Sequence, residues 1–248
     1  MKFVALGILQ GLTEFLPISS SGHLAIFEYY LRFHEPLFWI VFAHFGSLVA
    51  LVLLIWRRIG ILRRYAMRLL VLWVIIATIP AAVVGLCFYD LFEKIAGSVK
   101  LISVLWIING IILILTRKLR RPYTSLSLKN TFVVGLAQAL ALLPGISRSG
   151  VTISTALFLG IKEDDAVEFS IILSLPAILG ANILEFMKVK MVPHVLSLSS
   201  LFLASFVTSY LALVLLMIVT RRRKLHLFGI YTVALGVGLL LIDTIGLL

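Results

Sequence analysis

Charged residues are scarce in this chain: Asp, Glu, Lys and Arg make up 13% of its 248 residues against 61% hydrophobic. Mean hydropathy is +1.13, which excludes a soluble domain, where about a quarter of residues carry charge. Acids are rarer still, 11 against 22 Lys and Arg. The resulting net charge of +11 sits in short loops between apolar runs. No aromatic-basic interleaving and no nucleic-acid-binding motif accompanies it, so no nucleic-acid partner is expected and the charge reads as topological information. The one cysteine, Cys87, leaves no intramolecular disulfide and no cysteine-based metal site. Embedded in an apolar run, it is expected to pack. The apolar start, MKFVALGILQGLTEF, lacks an A-x-A type cleavage site and is expected to remain in the mature protein.

What the chain does have is long apolar runs. Those at about 37 to 56, 69 to 88, 98 to 116, 166 to 187, 197 to 219 and 227 to 247 each have the length of a membrane span. Two further stretches, 4 to 30 and 131 to 160, are apolar but interrupted by Pro, Gly, Ser and charge, and read as helix-break-helix hairpins. Pro80 and Pro176 fall inside spans and are expected to kink them against neighbours. The fold class is therefore an all-α polytopic membrane protein, one membrane domain over 1–248.

The break occurs twice. A shift of 128 residues carries Gly7, Gln10, Leu12, Ile18, Ser19, Ser21 and Gly22 onto Gly135, Gln138, Leu140, Ile146, Ser147, Ser149 and Gly150, with Pro17 displaced by one from Pro144. This correspondence implies internal repeats, 1–120 and 128–248, each a broken hairpin followed by three spans. Interrupted apolar segments at matching places in two halves point to a site near the membrane midplane.

Loop charge orients the halves. Arg57, Arg58, Arg63, Arg64 and Arg68, then Arg117, Lys118, Arg120, Arg121 and Lys129, then Arg221, Arg222, Arg223 and Lys224 mark three loops as cytoplasmic. Only two spans separate the second of these loops from the third, apart from the broken hairpin, so the hairpin must re-enter and return. By symmetry the first hairpin re-enters from the outer side. The expectation is six transmembrane helices plus two re-entrant hairpins in two inverted-topology repeats, both termini outside, and weakly basic outer loops at 89 to 97 and 188 to 196. The turn Lys162, Glu163, Asp164, Asp165 carries mixed charge and says little about sidedness.

An unpaired carboxylate or unwound backbone costs several kcal/mol in a bilayer core, about what a cavity or ligand must offset. Gln10 and Glu14, four apart, share a helix face and can aim at one ligand or cation, or simply bond each other. With no Cys or His cluster for zinc, oxygen donors of this kind suit Mg²⁺ or Ca²⁺. Ser19, Ser20 and Ser21 lie where unwound amides and a helix N-terminus form an anion site, one of them as an N-cap and another available as a nucleophile. His23, three residues from Ser20, is placed to act as base or proton donor. At the second break, PGISRSG sets Arg148 between Ser147 and Ser149 with Gly145 and Gly150 alongside, a setting for phosphate oxygens or for a buried pair with Glu14. His44 and Asn109 are secondary candidates. Glu168 and Glu185 are expected to be solvated at loop ends.

The motifs QGLTEFLP and SSSGH, followed by PGISRSG, resemble those of the undecaprenyl-diphosphatase family, the bacterial bacitracin-resistance phosphatases, over essentially the whole chain. The resemblance implies removal of one phosphate from undecaprenyl diphosphate to regenerate the lipid carrier of cell-wall synthesis, with a divalent cation, in the bacterial inner membrane, from a site facing outward. Gln10 and Glu14 fill the family's first motif, where the first place admits Gln; the essential serine falls on Ser20, the histidine on His23 and the phosphate-binding arginine on Arg148. The implied catalytic set is Glu14, Ser20, His23 and Arg148; substrate would be held by Gln10, Ser19, Ser21, Ser147, Ser149 and Gly145, and the metal by Glu14 and Gln10. A polyprenyl diphosphate and membrane lipid are the expected partners, and a homo-oligomer is compatible with the chain. By this resemblance the N-terminus and first cytoplasmic loop are expected to be shorter than in many relatives. The competing classes are a transporter or flippase of polyprenyl phosphates, which inverted broken helices also suit, and a binding-only protein.

Overall fold

A computed structural model describes residues 2–31, 37–58, 60–119, 123–187 and 195–245. The described residues are almost entirely helical, with no strand and one isolated bridge between Thr124 and Ile161. In order the helices are α1 (Lys2–Phe15), α2 (Ser20–Leu31), α3 (Leu37–Arg58), α4 (Ile61–Arg64), α5 (Met67–Cys87) and α6 (Tyr89–Ala96). They continue as α7 (Val99–Leu115), α8 (Leu128–Leu140), α9 (Arg148–Phe158), α10 (Glu163–Phe186), α11 (Val195–Arg221) and α12 (His226–Thr244). Six of these, α3, α5, α7, α10, α11 and α12, are long and apolar enough to cross a membrane, and they coincide with the six apolar runs. The chain is a multi-pass membrane protein. Residues 57 to 68 and 89 to 97, expected as plain loops, contain α4 and α6. Arg120 and Arg121, and the loop over 188 to 194, lie outside the described residues.

The remaining long helices come in broken pairs, α1 with α2 and α8 with α9. At about 1.5 Å per residue none of the four reaches about 30 Å, the thickness of a hydrocarbon core. Helix α1 packs along α11, while α8 packs along α5; α7 lies against α12, and α3 against α10 and α11. Small residues permit these contacts, as expected where apolar burial gives helices no preference for each other over lipid. A Cβ on Gly110 would stand 2.5 Å from the Gly229 carbonyl oxygen, and one on Gly229 2.6 Å from that of Gly110, so the α7–α12 crossing requires glycine on both sides. The main buried cluster joins Phe15, Leu51, Leu54, Trp73, Leu113, Phe169 and Leu213 behind the breaks.

The second broken pair starts and finishes together: the Thr124 amide and hydroxyl donate to the carbonyls of Gly160 and Leu159 at 2.8 and 2.9 Å. The start of α1 meets α3, Phe3 stacking on Trp39 at a centroid distance of 3.8 Å. At one end of the bundle the three basic loops meet the mixed-charge turn. Arg64 and Arg221 both pair with Glu168, at 2.7 and 3.0 Å, and with Asp165 and Asp164 in turn. Arg223 pairs with Glu163 and donates to Tyr123. Glu168 is thus not a solvated loop-end acid: it is 1% exposed, because α10 begins with its acids inside this cluster. The side chain of Glu185 lies outside the described residues. Cys87 also departs from expectation, being exposed. Helix α5 buries only Leu70, Trp73 and Ala77, and the last residue of this largely apolar helix faces outward.

Candidate active site

The two breaks are built alike. Ser19 caps α2 by accepting from the Gly22 amide at 3.4 Å, and Ser147 caps α9 by accepting from the Gly150 amide at 3.2 Å. In each case a second serine hydroxyl lies beside the cap, Ser21 at 3.3 Å and Ser149 at 3.1 Å. These positions are related by the 128-residue shift. Helix α2 accordingly begins at Ser20, ahead of His23. Capping leaves the first two amides of each helix, those of Ser20 and Ser21 and of Arg148 and Ser149, without a partner from the helix itself.

The breaks also hold each other. The Gly145 amide donates to Ser19 Oγ at 3.1 Å, and Ser147 Oγ donates to the Leu16 carbonyl at 3.4 Å. Ser19 occupies φ +68, a left-handed conformation uncommon for serine, and Gly145 occupies φ +110. Asn109 of α7, fully buried, spans the junction: its Nδ2 donates to the Pro17 carbonyl at 3.1 Å and its Oδ1 accepts from the Ser147 amide at 3.0 Å. Those two partners fix which way its amide points. Trp106, one turn earlier, donates from Nε1 to the Ile18 carbonyl at 3.0 Å.

This junction brings Glu14, Ser20 and Arg148 to one point. Arg148 Nη2 lies 2.8 Å from Glu14 Oε1, and Ser20 Oγ donates to Glu14 Oε2 at 2.9 Å. Gln10 Nε2 donates to the same Oε2 at 2.9 Å, and His44 Nε2 stands 3.6 Å from it. The carboxylate side chain is only 7% exposed and the guanidinium 17%. Arg148 Nη1 is tied to the Ser174 carbonyl at 3.2 Å. The Gln10 to Glu14 bond and the Glu14 to Arg148 pair, the structural alternatives for these residues, are both present here. The Gln10 Oε1 atom is buried with no partner among the described residues.

His23 stands apart from this cluster. Its Nδ1 is 2.8 Å from the Ser19 carbonyl, which can only accept, so Nδ1 carries the proton and Nε2 accepts from Tyr231 Oη at 2.8 Å. Its ring stacks on Tyr231 and meets Trp106 edge-on. The group hydrogen-bonded to Ser20 is Glu14 rather than His23. Sequence reading missed Tyr231, Trp106 and Ser174, which sit in apolar helices with no polar neighbourhood to mark them, and ranked His44 and Asn109 below their place in the structure. Beside His44, Phe38, Phe42, Phe45 and Ile183 line an apolar groove of about 460 Å³ between α3 and α10.

Fold and site together define a polytopic helical membrane protein whose buried carboxylate, hydroxyl and guanidinium are assembled from two serine-capped breaks. The family model for bacitracin resistance protein BacA matches residues 3–238. The chain belongs to this family. It is 34% identical to the undecaprenyl-diphosphatase of Thermosipho africanus (strain TCF52B) over 96% of this chain and 98% of that one. With the undecaprenyl-diphosphatase of Methanococcus maripaludis (strain C5 / ATCC BAA-1333) it shares 40% identity, over 93% and 95% of the two chains. With that of Korarchaeum cryptofilum (strain OPF8) it shares 38%, over 95% and 96%.

Proposed function

We propose that the protein is an integral membrane phosphatase that hydrolyses undecaprenyl diphosphate to undecaprenyl phosphate and inorganic phosphate, recycling the lipid carrier of the cell wall and conferring bacitracin resistance. The relatives that it matches along nearly their full length are named undecaprenyl-diphosphatases. The observation that carries the mechanism is the meeting of Ser20 from one break and Arg148 from the other on Glu14.

The terminal phosphoryl group displaces the carboxylate from Arg148 Nη2 and takes its place, while the Ser174 carbonyl keeps the guanidinium aimed. The unpartnered amides at the starts of α2 and α9 supply further donors to phosphate oxygens. Ser20 Oγ then attacks phosphorus: the Oγ–P bond forms, the bridging P–O bond breaks, and its electron pair leaves on undecaprenyl phosphate. The serine proton passes to Glu14, its hydrogen-bond acceptor. Glu14 hands that proton to the departing undecaprenyl phosphate and, ionised again, takes one from water; the water oxygen bonds to phosphorus, the Oγ–P bond breaks with its electron pair on Ser20 Oγ, Glu14 returns the proton to that oxygen, and inorganic phosphate leaves. Gln10, Ser21 and Ser149 line the phosphate site; Ser19, Ser147 and Gly145 position the two breaks, and His23 with Tyr231 holds the start of α2. The prenyl chain lies in the apolar groove beside His44.

Among the described residues no group of three or more His, Cys, Asp or Glu could hold a metal ion. A hard cation instead fits an oxygen set completed by the substrate. The orphaned Gln10 Oε1 and a Glu14 oxygen would hold Mg²⁺ or Ca²⁺ with the diphosphate, where it would neutralise charge on the phosphoryl oxygens.

The two broken pairs are re-entrant hairpins in inverted repeats of one membrane domain. Their shortness, the adjacent ends of the second pair and their exchanged packing, α1 on α11 and α8 on α5, support this reading. The positive-inside rule puts the Arg64, Glu168, Arg221 cluster in the cytoplasm, so the first hairpin opens outward in the cell membrane and the site faces the outer side. The test is phosphate release by the purified protein from a polyprenyl diphosphate. Release that EDTA abolishes supports the reading; absence of release, with substrate-dependent lipid movement across liposomes, would replace it with a flippase.

A further inference from the structure

A second pocket, of about 440 Å³, opens at the basic end of the bundle, away from the breaks. Leu119, Leu157, Ile161 and Leu225 give it aliphatic walls, and Tyr123, Glu163 and Arg223 give it polar ones. Its depth is fixed by two spans. One, Val99–Lys118, ends at it, and another, His226–Thr244, begins at it. The pocket therefore lies where apolar helix gives way to polar loop, at the level of lipid headgroups.

Charge around it is one-sided. Inside, Arg223 pairs with Glu163 and donates to Tyr123 Oη, which leaves no free acid facing a ligand. Arg117 and Lys118 lie between the lining residues Thr116 and Leu119, and Arg222 and Lys224 flank Arg223. All four are exposed and none has an ion-pair partner among the described residues.

The backbone supplies a third observation. Arg223 closes α11 at φ +55, its amide donating to the Thr220 carbonyl and that of Lys224 to the Val219 carbonyl, each at 2.9 Å. This is the helix-ending position that favours glycine. Arg223 takes this left-handed conformation, and its side chain lines the pocket. Sidedness alone accounts for basic residues in a loop, but not for a strained arginine lining a cavity.

We propose that this pocket binds an anionic glycerophospholipid, its phosphodiester on Arg117, Lys118, Arg222 and Lys224, which adjoin the lining residues, and the first carbons of its acyl chains on the half-buried Leu119 and Leu157. Aliphatic walls at headgroup depth fit a lipid; a soluble anion would leave them empty. The site is separate from the phosphatase reading and stands whether or not that reading holds.

Native mass spectrometry on the full chain, delipidated in detergent and then titrated with phosphatidylglycerol, phosphatidylcholine or inorganic phosphate, tests it. Phosphatidylglycerol adducts survive activation, phosphatidylcholine adducts do not, and inorganic phosphate does not compete. Removing two of the adjoining charges, Arg222→Gln with Lys224→Gln, lowers phosphatidylglycerol retention about tenfold or more. The same charge loss in the other basic loop, Arg63→Gln with Arg68→Gln, leaves retention within about twofold, since no residue of that loop lines this pocket, whereas Arg222 and Lys224 adjoin the lining residues Arg223 and Leu225. Arg223→Gly frees the backbone and removes the guanidinium, so retention falls while thermal stability is kept. Equal retention of phosphatidylcholine, displacement by inorganic phosphate, or equal loss in the control pair would overturn the assignment.

Discussion

Asn109 gives the sharpest test of how the site is held together. Replacing it with alanine removes a donor to the Pro17 carbonyl and an acceptor for the Ser147 amide, both in a fully buried place. Each orphaned group costs about 1–3 kcal/mol, about 2–6 kcal/mol together. The consequence reaches the chemistry as well as the fold. Ser147 precedes Arg148, and Pro17 precedes Ser20 by less than one helical turn, so slackening either moves a group that meets Glu14. A displacement of about 1 Å in a reacting group costs on the order of 100-fold. The expected result for Asn109→Ala is a fall in kcat of about 10- to 100-fold, with KM for the lipid changed less than about threefold. Asn109→Asp accepts from Ser147 but cannot donate to Pro17, and is expected to be impaired as well. Ser103→Ala on the same helix is the control. Ser103 is equally buried but bonds only to the Val99 carbonyl of its own helix, at 2.8 Å, and its loss is expected to leave turnover unchanged. Phosphate release is measured on the monodisperse fraction, with thermal unfolding alongside. An Asn109→Ala protein turning over within twofold of wild type would refute the claim that this amide registers the two breaks.

Three further outcomes follow from the geometry. Gly145→Ala must place a Cβ 2.7 Å from that of Leu105 and 2.8 Å from the Ile102 carbonyl oxygen at φ +110, so the folded yield in detergent should collapse; a normal melting profile would count against the tight junction. Glu168→Ala leaves Arg64 and Arg221, both nearly half exposed, with Asp165 and Asp164 as partners and should cost about 1–2 kcal/mol, seen as a lowered Tm without a matching change in KM. Removing divalent cations with EDTA should abolish turnover, and Mg²⁺ or Ca²⁺ should restore it; Gln10→Leu, lacking the orphaned carbonyl, should need more cation for half-maximal rate.

Much of this architecture can be read from the sequence, and the reason is the bilayer. Each span must carry an apolar run of fixed length, so six runs give six helices with little error at their ends. The breaks are legible for the opposite reason, since Gln, Glu, Ser and Arg in apolar surroundings need a purpose. What sequence could not assign was partnership. Glu168 reads as a loop-end acid until Arg64, some hundred residues earlier, and Arg221 are seen beside it. His23 lies three positions from Ser20, yet the fold turns its ring to Tyr231 on α12 and gives Ser20 to Glu14. Asn109 shows the same limit: one amide in an apolar helix carries no pattern, and its importance comes from two backbone groups that only the folded chain brings within reach.

The central claim is that one phosphatase site is made from both breaks, and the rates of phosphate release by Ser20→Ala and Arg148→Ala, measured side by side on folded protein, test it most directly. Loss of the nucleophile from the first break and of the charge from the second should each lower turnover by about 100-fold or more. Near wild-type turnover in either variant would contradict the account.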